Sequence, residues 1–150
     1  MAWADIKLLE FLQHLPSEAL KAKAVSDEWD VAHLIFHMIA SADWYAFELG
    51  RTLHFTQEPD SLDGVLELGG IWREFNKYLL AECDKEDEVV TYFENGNEFK
   101  VMRSTVLAQA PIHSVEHRTQ ITLALKINGF PTLELEDYSQ WGFVYESSQK

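Results

Sequence analysis

"DEWDVAHLIFHMIASADWYAFELG", residues 27–50, decides how the rest of the chain is read. It runs from an acidic start to a terminal glycine with no proline or glycine between, which is too long for a strand. Ser26 offers an N-cap, and Asp27 and Glu28 place negative charge where it complements a helix dipole. Gly50 suits the position just past a helix C-terminus. The stretch therefore reads as a long helix. It also carries His33 and His37, whose spacing of four puts two imidazoles on one face.

Upstream, "WADIKLLEFLQHL" (3–15) places Ile6, Leu8, Leu9, Leu12 and Leu15 in a helical stripe that Pro16 ends. "SEALKAKAV" (17–25) is a polar connector with room for a helical turn. Downstream, residues 51–60 form a loop, and Asp60 or Ser61 caps a third helix running to about Ala81. Its expected apolar positions are Leu66, Ile71, Phe75, Tyr78 and Leu79, and Gly64, Gly69 and Gly70 weaken its first half. "EVVTYFENGNEFKVM" (88–102) differs in kind: β-branched and aromatic residues flank Asn95-Gly96, a strong hairpin signal, with strands expected at 89–93 and 98–101.

The fourth helix starts at Arg103 or Ser104 and ends at Asn128-Gly129, with Pro131 beyond. Pro111 lies inside it, removes one backbone bond and predicts a kink just before His113. The tail "LEDYSQWGFVYE" (135–146), with Tyr138, Trp141, Phe143 and Tyr145, is too aromatic for a free end and is expected to pack as a short helix or turn. Together these elements predict an all-α fold, an antiparallel four-helix bundle with a small hairpin before the last long helix. Residues 1–150 are expected to form one domain.

Composition narrows the function. Asp and Glu number 25 against 12 Lys and Arg, giving a formal net charge of −13, which repels a phosphate backbone and argues against nucleic acid as a partner. The same field favours divalent cations at any prepared site. No apolar run reaches bilayer length, so no membrane partner is expected, and the N-terminal segment lacks the pattern of a signal peptide. The single cysteine, Cys83, permits no internal disulfide. A cytoplasmic location is the resulting expectation. "DKEDE" after Cys83 is the opposite of the electropositive setting a reactive thiolate needs, so Cys83 reads as a small, half-buried residue at a helix end.

"PIHSVEHRTQ" (111–120) repeats the histidine spacing at His113 and His117. Two pairs on the two long helices most suited to be neighbours point to a metal site built between facing helices. Spacing alone does not choose between His33 and His37. No HExxH occurs, because Glu116 directly precedes His117, so the base of a zinc peptidase is missing. Asp30, Asp43 and Glu116 are carboxylates within reach of supporting such a site, and Trp29, Trp44 and Tyr45 are aromatics suited to its mouth. Arg118 reads as a surface ion pair or an anchor for an anionic substrate.

"HMIASADW" (37–44), followed by "IHSVEHRTQITLALKINGFP" (112–131), resembles the DinB/YfiT-like superfamily of four-helix metalloproteins. The likeness covers most of the chain: helix count, long second helix, strand-like insertion and Gly-Phe-Pro ending. That family's last-helix motif runs approximately Asn-His-x-x-His-His-Arg-Gly-Gln. His113, His117, Arg118 and Gln120 match it, while Ile112, Glu116 and Thr119 depart from it. The resemblance implies His37, His113 and His117 as ligands of one divalent metal, with His33 a neighbour. Zinc is the expected metal, because imidazole suits it, and nickel an occupant after affinity purification.

Three neutral imidazoles leave a coordination position open, the arrangement of a catalytic rather than a closed structural site. Some relatives transfer low-molecular-weight thiols onto electrophiles. The resemblance thus implies a metal-dependent thiol transferase acting on a small-molecule thiol and an electrophilic substrate, in a homodimer. The alternative is a non-catalytic metal-binding or dimerisation module.

Overall fold

A computed structural model describes residues 1–25, 29–54 and 57–149. The chain is mostly helical, with one two-stranded antiparallel sheet. The first helix, α1 (Ala2–Leu12), buries Ala4, Leu8, Leu9 and Leu12, while Ile6 is only partly covered. A short 3-10 turn, Ser17–Lys21, follows Pro16 and buries Ala19 and Leu20.

Helix α2 (Val31–Glu48) begins later than its acidic run suggests. The expected cap at Ser26, with Asp27 and Glu28, lies outside the described residues. Asp30 caps the helix instead, its Oδ1 accepting from the His33 N–H at 3.0 Å. Gly50 closes the far end with φ +100°, a conformation open mainly to glycine. Val31, Leu34, Ile35, Met38, Ile39, Ala42, Tyr45 and Ala46 recur at spacings of three and four and enter the core.

Helix α3 (Leu62–Glu82) is capped by Ser61, whose Oγ accepts from the Gly64 N–H at 3.2 Å. Its buried stripe is Val65, Leu68, Trp72, Phe75 and Leu79. Leu66, expected inside, is 41% exposed, because it lies off that stripe. The glycines do not break the helix. A Cβ on Gly69 would stand 3.0 Å from Leu9 Cδ1, so this glycine lets α1 approach closely.

Strands β1 (Val89–Glu94) and β2 (Asn97–Met102) pair from Val89↔Met102 to Glu94↔Asn97. Asn95 and Gly96 take φ of +50° and +79°, as a two-residue turn between twisted strands requires. Tyr92 stacks on Phe99 and meets Trp44 edge-on, which seats the hairpin against α2.

Helix α4 (Arg103–Ile127) runs on through Pro111 and ends at Asn128 and Gly129, the latter with φ +77°. α2 packs on both α3 and α4, and α1 packs on α3 and, more lightly, on α4. The tail forms α5 (Leu135–Tyr138) and α6 (Gln140–Ser148). α6 meets α1 through Trp3, whose ring lies 5.7 Å from that of Phe143. Yet Trp141 and Tyr145 remain 81% and 69% exposed, so the tail packs through one edge and leaves aromatic surface in solvent. Among the described residues, no helix is long and apolar enough to cross a membrane.

Candidate metal centre

The core stripe of α2 leaves His33 and His37 on its half-buried flank, and the flank of α4 opposite carries His113 and His117. The structure brings three of these rings together. His37 Nε2 lies 3.1 Å from His113 Nε2, and His117 Nε2 lies 3.0 Å from the same atom. One nitrogen from each of the three falls within 4.8 Å of the others. His33 points elsewhere: its Nδ1 lies 2.7 Å from Glu58. His14 sits beside Gln13 at the end of α1, and His54 lies against Phe75.

Hydrogen bonding alone does not account for this convergence. A ring nitrogen either donates one hydrogen or accepts into one lone pair. His113 Nε2 therefore cannot bond both neighbours. A cation at the focus satisfies all three lone pairs at once. Zinc–nitrogen bonds of about 2.0–2.1 Å in a tetrahedron set nitrogens roughly 3.3 Å apart, close to the two short separations here. The electrostatics agree. Burial, then repulsion from His117 and its neighbours, lowers the His37 pKa to about 4. Burial and His117 likewise lower His113 to about 4. Both rings are thus held neutral, as metal ligation requires.

His117 is oriented from behind. Its Nδ1 lies 2.6 Å from Gln120 Oε1 and donates to it, which keeps Nε2 aimed into the cluster. None of the three carboxylates expected in that role supplies it. Asp30 caps α2. Asp43, 2% exposed, accepts from the His54 N–H at 2.8 Å and from Arg51 at 3.2 Å, pinning the loop after α2. Glu116 is exposed on α4. The spacing of three between His117 and Gln120, one face of a helix, is the signal that would have found it.

The aromatics divide as well. Trp29 covers the cluster, with ring centroids 4.6 Å from His37 and 6.2 Å from His117. Tyr45 meets His113 edge-on at 6.0 Å, whereas Trp44 turns away to the hairpin. Arg118 is neither a surface ion pair nor exposed to a substrate. It is 5% exposed and paired with Asp5 in the core, with Ser114 Oγ 2.6 Å from its guanidinium. Cys83, expected half-buried, is exposed at the end of α3.

The fold and the site define a helical protein with a metal-competent cluster of three histidines between two long helices. A sequence model of the DinB family matches residues 1–141, and the chain belongs to that family. No curated protein matches it in sequence.

Proposed function

We propose that this DinB family protein binds one divalent metal through His37, His113 and His117 and uses it to transfer a small thiol onto an electrophile. The convergence of three half-buried imidazoles on one point carries the reading. A metal there supplies a Lewis acid able to lower the pKa of a thiol or water. The chain's own residues supply the rest. His37 on α2 and the pair on α4 aim their lone pairs at one position. Gln120 fixes the tautomer of His117. Trp29 shields one side of the cluster and offers an apolar wall to an incoming electrophile. Zinc is the proposed occupant, since imidazole suits it, and the net charge of −13 favours any divalent cation in this field.

The helices belong, in this reading, to a single four-helix bundle domain that works in the cytoplasm as a homodimer. Elemental analysis of protein purified without an affinity tag tests the core claim. About one equivalent of zinc is expected in the wild type and none in His113→Ala. Thiol consumption with chlorodinitrobenzene as electrophile should vanish with the metal while the melting temperature stays near that of the wild type. A variant that keeps its metal would overturn the assignment. Loss of metal with a large fall in melting temperature, and no activity in the wild type, would make the site structural.

A further inference from the structure

A small cavity of about 10 Å³ adjoins the histidine cluster at His113 and is lined also by Tyr45, Asp5 and Ser114, with Met38 and Trp72 among its apolar walls. That volume matches a single water. Asp5 is fully buried, and its two oxygens differ in circumstance. Oδ1 accepts from Ser114 Oγ at 2.5 Å and from the Arg118 guanidinium. Oδ2 finds no partner among the described residues. A buried carboxyl oxygen left so forfeits its hydration without compensation, so such atoms are normally satisfied. Protonation does not remove the need, since a buried hydroxyl wants an acceptor as much as an oxygen wants a donor.

His113 has the complementary need. Among the described residues its hydrogen-bond contacts are made by Nε2 alone, inside the cluster. If Nε2 faces a metal, Nδ1 carries the hydrogen, and a ligating histidine normally gives that hydrogen to a carboxylate, a carbonyl or water. Gln120 performs this service for His117. Among the described residues no side chain does so for His113, but it shares a water-sized cavity with an orphaned carboxyl oxygen.

We propose that one bound water in this cavity joins His113 Nδ1 to Asp5 Oδ2, making Asp5 the remote positioning residue of the metal centre. The N-terminal ammonium also acts on Asp5 and is the competing partner for Oδ2. The inference rests on the three-histidine reading, and its test separates the two. A high-resolution crystal structure of the zinc-loaded wild type should show a water within hydrogen-bond distance of both atoms. The histidine-ring NMR spectrum should show a slowly exchanging Nδ1 hydrogen on His113. Ala42→Val fills the cavity from α2 without touching the Asp5–Arg118 pair. It should weaken zinc binding roughly 10–100-fold by calorimetry, and Asp5→Asn should do at least as much. A dry cavity, Oδ2 bonded to the terminal ammonium, or unchanged zinc affinity in Ala42→Val would each overturn the proposal. If the wild type takes up no zinc, the metal reading fails with it, whereas a dry cavity beside a loaded site defeats only the water link.

Discussion

His37 and His113 are held neutral by burial first and by the neighbouring His117 second. Their folded pKa values are about 4 against an ordinary 6.5. Between those values the unfolded chain takes up protons that the native one refuses. Stability of the metal-free protein should therefore fall as pH drops through that window and level off below it. Thermal unfolding followed from about pH 7 to about pH 4 checks this, and the slope should shrink in a His37→Gln/His113→Gln double variant. Gln120 supports a separate expectation. Its amide oxygen holds the His117 ring from outside the cluster, so Gln120→Ala should weaken zinc binding roughly 10–100-fold while leaving stoichiometry at one. An unchanged affinity would show that the rest of α4 already holds that ring.

At the level of elements, one side chain ties three of them together. Arg103, the first residue of α4, pairs with buried Glu82 at the end of α3 and with Glu88 just before β1, and its Nε donates to the Glu86 carbonyl at 3.1 Å. Arg103→Ala leaves buried Glu82 with only the more exposed Lys85, so a loss of about 3–5 kcal/mol is expected from urea unfolding. A loss below about 1 kcal/mol would mean that Lys85, 2.5 Å from the same carboxylate, suffices alone. Arg103 was visible from sequence only as a helix start, because its role depends on partners 15 and 21 positions away. Local signals fared better. Asn95-Gly96, Gly50, Gly129 and Ser61 each mark a boundary through chemistry confined to a few residues, and each stands where that chemistry requires. Periodicity in α3 finds Phe75 and Leu79 but misplaces Leu66, since glycines blur the stripe that runs through Val65, Leu68 and Trp72. The histidine pairs were legible as spacing. That His37, not His33, faces α4 is a matter of how two helices rotate against each other, which spacing on either helix does not contain.

Across the whole molecule, the cluster sits on the seam between α2 and α4, while α1 and α3 complete the core on the other side. The hydrophobic interior does not run through the three histidines, which is why the loss of one ring is expected to spare the fold. The seam has a further consequence in time. His37 and His113 are 76 positions apart, so the third ligand arrives only when α2 docks on α4. Before that moment, α4 offers a metal no more than its own pair. Zinc should therefore act as a latch on the finished structure rather than as a template for reaching it. In stopped-flow chevrons, saturating zinc should slow the unfolding arm and leave the refolding arm where it was, because the contacts it rewards form after the barrier. Faster refolding with zinc would instead place the meeting of these two helices in the rate-limiting step, and would make the metal a participant in how the chain finds its shape.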